Sequence, residues 1–216
     1  MKFNLKKELP LLLLSALPAA FLAIVWNTLP TEVPLHWGID GTVNRYGSKM
    51  ELLFLGLIPF ALYALFLFIP KIDPKKRVAA MGNKYYSIRL ITALFISVVF
   101  TYIVYSVKEE SLGHPNFIFM LIGAFFVLLG NYFKTIKPNY FVGIRTPWTL
   151  ENEAVWKSTH LLGGKLWVVG GLLIIFSSLV FSEPTALILF MSITAIITLV
   201  PIVHSYLEFK KSPTRV

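Results

Sequence analysis

The side chains that could take part in chemistry are concentrated in one segment, Tyr140–His160, which reads YFVGIRTPWTLENEAVWKSTH. Arg145, Glu153 and His160 form a conceivable acid–base set in it. No nucleophile or metal partner accompanies them, so we do not expect an enzyme. Arg145 is the more informative residue, because a guanidinium can form a fork with Glu151 or Glu153, or can bind a lipid phosphate.

The same segment carries the signals of a helix start. Thr146 suits the N-cap and Pro147 the first helical position, which predicts a helix over Pro147–Leu162. Its aromatic face and its i,i+4 pair of Glu153 and Lys157 are typical of a surface helix. We therefore expect an interfacial helix that lies at the membrane surface or tucks under the bundle.

A second polar and aromatic segment, LPTEVPLHWGIDGTVNRYGSK, ends at Lys49. Its proline and glycine turn signals predict a compact, ordered loop over residues 30–49. His36 and Asp40 are two lone ligands, so neither a metal nor another cofactor is predicted. The loop either has a structural role or recognises an external partner. The candidate binding residues are Pro34, His36, Trp37, Gly38, Tyr46 and Lys49.

The elements that must position these segments are membrane-spanning helices. The chain is 56% hydrophobic and 14% charged, whereas a soluble domain is about 25% charged. Apolar runs long enough to cross a bilayer predict an all-α, polytopic bundle of six helices. The predicted spans are Leu9–Leu29, Met50–Ile69, Ile88–Val107, Phe117–Phe133, Leu166–Phe181 and Ala186–Tyr206.

The first apolar run also resembles a signal peptide, but it continues past Ala20, which favours an uncleaved span. Of the 20 Lys and Arg residues, 15 lie in the two tails and the loops around residues 70–86 and 134–164, and three lie on the other side. Such an asymmetry predicts that both termini are cytoplasmic. The same rule explains the net charge of +9 without direct binding of nucleic acid.

The predicted span interiors carry no charged side chain or histidine. Arg89 and His204 lie near span ends, where snorkelling explains them. An ion-coupled transporter is therefore disfavoured.

The order of spans and loops is the same in residues 1–110 and 111–216, with long loops at 30–49 and 134–164. Three spans carry the chain across the membrane, so the second half would be inverted. The sequence thus predicts two three-span halves, with a 3+3 inverted repeat as one option and chance as the other.

The run NYFVGIRTPWTLENEAVWKSTHLLGGKLW resembles the signature of the SdpI family of bacterial immunity membrane proteins. The segment LPTEVPLHWGIDGTVNRYGSK resembles the N-terminal domain that often precedes this signature. The signature falls on Gly143, Ile144, Arg145, Thr146, Pro147, Trp148, Thr149, Asn152, Glu153, Trp156, Thr159, His160 and Gly163.

The resemblance implies a place in the bacterial cell membrane and protection of the cell from a secreted, membrane-active peptide toxin. It also implies signalling through a cytosolic transcriptional repressor held at the membrane. Besides the lipid bilayer, the expected partners are therefore a toxin outside and a repressor inside. The alternative is a lipid- or solute-handling membrane protein that uses Arg145 as an anion contact.

Overall fold

The computed structural model describes residues 4–38 and 41–211, which form mainly helices. Six of the helices are long and apolar enough to cross a membrane, so the predicted multi-pass helical bundle is confirmed. The helices are α1 Leu5–Val25, α2 Glu51–Ile72, α3 Asn83–Lys108, α4 Asn116–Phe133, α5 Pro147–Glu151, α6 Glu153–Val180 and α7 Glu183–Lys211. Short 3-10 turns over Trp26–Thr28 and Ala79–Met81 follow α1 and precede α3.

The fifth span is the main correction to the predicted boundaries. It was expected at Leu166–Phe181, but α6 already begins at Glu153. Glycines near its start made the sequence look like a loop, and helix packing overrides that preference. Much of the signature therefore forms the first turns of a spanning helix, and the connection before α5 covers residues 134–146 rather than the whole predicted loop 134–164.

Residues 30–38 and 41–49, the described part of the predicted loop, include a β-hairpin, the one departure from an all-α fold among the described residues. Strands β1 Glu32–Trp37 and β2 Val43–Ser48 pair antiparallel. Pro34 pairs opposite Tyr46, which is allowed because a proline can occupy an edge strand. Val33 is buried in a cluster with Leu52 and residues of α1 and α3, so the hairpin is fixed to the helices.

The predicted three-span halves meet through a buried cluster that includes Tyr85, Phe133, Ile136 and Trp156. Their internal packing differs. In the first half α1 packs most extensively on α3, whereas in the second half α4 packs most extensively on α6. This difference does not favour the inverted repeat, which stays a prediction, as do the limits of the two halves.

Arg89 does not snorkel, contrary to the expectation from its position near a span end. It is 1% exposed, and its Nη1 and Nη2 donate to Oε1 and Oε2 of Glu8 at 3.0 and 2.6 Å. Glu8 is equally buried and belongs to α1 rather than to the N-terminal tail. A fork-to-fork ion pair therefore links α1 to α3 inside the bundle.

The predicted orientation can be tested with cysteine labels, because the chain contains no cysteine of its own. Ser48 ends β2, and Lys137 is exposed in the connection after α4. In intact cells an impermeant thiol reagent should label Ser48→Cys and leave Lys137→Cys unlabelled until the cells are opened. The reverse pattern would refute the orientation.

Candidate functional site

The connection between α4 and α5 is shaped by Asn139, a residue within the signature run to which the sequence assigned no role. Asn139 is buried, and its side-chain oxygen accepts from the N–H groups of Phe141 and Val142 at 2.8 and 2.7 Å. Its amide nitrogen donates to the carbonyls of Lys137 and Val142 at 2.7 and 3.0 Å. One side chain thus replaces the backbone partners that a loop lacks.

His160 holds this connection against α6. Its Nε2 accepts from the N–H of Ile144 at 2.9 Å, and its Nδ1 lies 2.8 Å from the carbonyl of Trp156. A backbone N–H can only donate, so Nε2 is the acceptor and the proton is on Nδ1. Both ring nitrogens are occupied and the ring is buried. The conceivable acid–base set with Glu153 and Arg145 is therefore not assembled.

Gly143 is needed where the connection passes over His160. Its φ is +110°, a conformation that favours glycine. A Cβ at this position would also collide with Nε2 of His160. Gly143 and His160 therefore form one structural unit, because the absence of a side chain at Gly143 leaves room for the His160 ring.

The start of α5 is capped as predicted. The Thr146 hydroxyl accepts from the N–H of Thr149 at 3.2 Å, and the Thr149 hydroxyl accepts from the N–H of Thr146 at 2.9 Å. Pro147 follows at the first helical position. The Thr146 hydroxyl also lies 3.1 Å from that of Ser205 on α7. This capping box therefore also fastens α5 to the last helix.

The predicted single helix over Pro147–Leu162 is broken at Asn152, whose backbone is extended. Its side-chain oxygen accepts from the N–H groups of Ala154 and Val155 at 2.9 and 3.2 Å, which starts α6 anew. A polar side chain that competes for backbone donors explains the break. Glu153 lies 3.6 Å from Arg77 and not in the expected pair with Lys157.

Two signature tryptophans are packed against protein. Trp156 is 2% exposed, and its indole N–H donates to the carbonyl of Ile136 at 2.8 Å. Trp148 is half-buried and packs on Tyr206 of α7, with ring centroids 5.1 Å apart. The aromatic face predicted for a membrane-surface helix is therefore used to join α5 and α6 to the bundle.

Arg145 does not form the expected fork with Glu151 or Glu153. It is exposed, and its Nη1 donates to the carbonyl of Tyr140. Among the described residues no carboxylate lies within 4.0 Å of its guanidinium. The two charged signature residues, Arg145 and Glu153, are both exposed, but only Glu153 has an oppositely charged partner among the described residues, namely Arg77.

The hairpin separates its candidate residues into two groups. Trp37 is half-buried and packs on the cluster around Val33, whereas His36 and Tyr46 are exposed. The side chain of His36 lies 2.6 Å from that of Asn44. Asp40, the second potential metal ligand, lies outside the described residues. Within the described ranges no three His, Asp or Glu side chains are placed to hold a metal ion.

Lys49, which follows the hairpin, bonds to the residues that follow α1. Its Nζ donates to the carbonyls of Leu29 and Trp26 at 3.3 and 3.4 Å and lies 4.8 Å from the Trp26 ring centroid. These are carbonyls at the end of a helix, where a cation is favourable. Gly38 closes the turn of the hairpin, with its N–H donating to the carbonyl of Thr42 at 2.7 Å.

The chain is similar to known proteins over the signature region and over the region that contains the hairpin. Residues 135–205 match the model of the SdpI/YfhL protein family, and residues 13–60 match a domain of unknown function, DUF1648. The immunity protein SdpI of Bacillus subtilis (strain 168) is 26% identical over 212 residues, which cover 96% of this chain and 98% of the relative. No solved structure matches the chain significantly. The chain is therefore similar to the SdpI/YfhL family over the signature and the last two spanning helices, and to one immunity protein along nearly its whole length.

Proposed function

We propose that the protein protects its cell against a secreted, membrane-active peptide toxin. The observation that carries the proposal is its alignment along 96% of its length with a protein named an immunity protein. Six helices able to span a membrane suit a protein that acts where such a toxin acts. The described residues do not assemble an acid–base or metal centre, so we propose protection by binding and not by catalysis.

The toxin is proposed to meet the exposed side of the hairpin. Trp37 and Val33 attach the hairpin to the helices, which leaves His36 and Tyr46 facing outward. Tyr46 is 53% exposed on a paired strand. A rigid aromatic side chain can bury a large area on binding at a small entropic cost.

Survival in the presence of toxin tests the function itself. A strain of the source organism that lacks the gene should survive less well than its parent in medium conditioned by the parent. Restoring the gene should restore survival. Equal survival of both strains in this medium would refute the proposed immunity.

Tyr46→Ala is expected to reduce survival while leaving the amount of protein in the membrane near normal. Truncating an aromatic anchor of a recognition surface costs roughly 2 kcal/mol of binding free energy. Tyr105→Ala is the matched control, because Tyr105 is 50% exposed and lies on α3, outside the hairpin. Equal survival of the two variants would contradict recognition by the hairpin. Trp37→Ala is less informative, because it also removes a packed anchor.

The opposite end of the bundle is the proposed place for a cytosolic repressor. There α5 and the connection before it are fixed by His160, Asn139 and Trp156, so the surface they present is rigid. Exposed Arg145 lies on this surface. We propose that it contributes to the signalling contact, with both chain termini on the same cytoplasmic side.

A second candidate function, lipid or solute handling, is favoured by the outward charge of Arg145 alone. If this residue binds anions, inorganic phosphate should raise the melting temperature of the purified protein, because a ligand stabilises the state to which it binds. Arg145→Lys should keep the effect and Arg145→Ala should lose it. An equal shift in all three proteins, or no shift in any, would exclude Arg145 as the anion contact.

A further inference from the structure

A groove of about 440 Å³ runs between α1 and α2 at the end of the bundle that carries the hairpin. This volume lies within the range of about 300–1,000 Å³ that is common for sites of small ligands. The lining is apolar except at one end, where Asn27 and the indole of Trp26 lie. The apolar residues are Ala19, Leu22, Ala23, Leu53, Gly56 and Leu57.

The groove opens sideways, toward the surroundings of the bundle. Ala23, Leu53 and Leu57 are exposed, whereas Gly56 at its floor is buried. Both α1 and α2 are membrane spans, so the opening faces the hydrocarbon part of the bilayer. An occupant would therefore enter from within the membrane.

The length of the groove fits one leaflet. From Ala19 to Trp26 the axis of α1 advances about 10 Å. Half of the hydrocarbon core is about 15 Å thick. The groove thus accommodates most of the depth of an acyl chain in the leaflet on the hairpin side.

A cation, Lys49, lies beside Trp26, at the end of the groove that also carries Asn27. Nζ of Lys49 is 4.8 Å from the ring centroid of Trp26, which lines the groove. Two backbone carbonyls accept from this ammonium, which has three donors. Within the described part of the chain no carboxylate lies within 4.0 Å of it. Charge complementarity at this end therefore calls for an anion.

We propose that this groove is a binding site for an anionic phospholipid of the leaflet on the hairpin side. One acyl chain lies between α1 and α2, and the phosphate accepts from the ammonium of Lys49. The lipid would occupy the groove at the end of the bundle that carries the hairpin. The stability of that end would then depend on the lipid composition of the membrane. This inference does not depend on the proposed immunity.

Native mass spectrometry of the full chain tests the site. The protein is purified in a nonionic detergent and offered equal amounts of dioleoylphosphatidylglycerol and dioleoylphosphatidylcholine. The wild type is expected to retain one tightly held lipid, with a preference of roughly five-fold for the anionic one. No retained lipid, or equal retention of the two, would overturn the proposal.

Two leucine variants separate the groove from the rest of the helix surface. Ala23→Leu should lower retention of both lipids roughly ten-fold, because its side chain occupies the groove. Ala20→Leu is the matched control, since Ala20 is exposed on the same helix but does not line the groove. Equal retention by these two variants would show that the lipid lies elsewhere.

Two variants of Lys49 test the headgroup contact. Lys49→Gln should abolish the preference for phosphatidylglycerol while a lipid is still retained, and Lys49→Arg should keep the preference. Melting temperatures of both variants near that of the wild type establish that the hairpin remains attached. If Lys49→Gln melts early, Lys49→Arg decides the matter, because loss of the preference in a stable Arg variant contradicts a contact based on charge. A preference that survives in Lys49→Gln refutes the proposed phosphate contact.

Discussion

Arg89→Met is expected to lower the free energy of unfolding by about 3–5 kcal/mol, the usual cost of leaving one member of a buried ion pair alone. The carboxylate of Glu8, itself 1% exposed, loses both guanidinium donors at 3.0 and 2.6 Å. Methionine keeps an unbranched apolar stem, so the loss reports mainly the unpaired charge. Unfolding by sodium dodecyl sulfate in mixed micelles measures the change.

Two further variants make this result specific. Glu8→Met combined with Arg89→Met should recover most of the stability, because replacing both charges by apolar groups is often nearly neutral. Arg77→Ala breaks the exposed pair of Arg77 and Glu153 at 3.6 Å and should cost roughly 0–1 kcal/mol. If the double variant is less stable than Arg89→Met, the pair itself stabilises the bundle and the unpaired-charge explanation fails.

The ion pair also shows what the sequence could not predict. The predicted first span began at Leu9, which left Glu8 in the tail, and an arginine near a span end is well explained by snorkelling. The sequence places both residues near the same face of the membrane, but this does not show that they pair. The pairing itself depends on which helices are neighbours. In this bundle α1 packs mainly on α3, a tertiary fact that no local pattern encodes.

The signature was predictable in a complementary way. Local chemistry identified Thr146 and Pro147 correctly, because a helix cap depends on residues within one turn. The roles of His160 and Gly143 depend on the contact between α6 and the connection before α5. The sequence identified both residues as part of the signature but did not predict this contact. Asn152 was assigned to the interior of one continuous helix because it fits the 3.6-residue spacing. The spacing does not show that its side chain accepts from backbone N–H groups and so interrupts the helix. Most signature residues thus serve to fix the connection between α4 and α5.

The close contact of α4 and α6 depends on two pairs of facing glycines, Gly130 with Gly164 and Gly123 with Gly171. A Cβ on Gly164 would lie 2.7 Å from the carbonyl oxygen of Gly130, and one on Gly171 would lie 2.5 Å from that of Gly123. The obstacles are backbone atoms of the facing helix, which cannot rotate away. Such small residues are how membrane helices approach closely, because burial from lipid provides little driving force.

Gly171→Ala is therefore expected to destabilise the bundle by about 1–3 kcal/mol, the usual range for overpacking. An isolated helix would predict the opposite sign, since alanine is favoured over glycine in helices by roughly 1 kcal/mol. Gly56→Ala is the matched control, because the nearest atom to its new Cβ would be 3.8 Å away, at ordinary contact distance. Unfolding in mixed micelles should place Gly56→Ala at or above the wild type and Gly171→Ala below it. Equal stability of the two variants would mean that α4 and α6 are not held together at backbone contact.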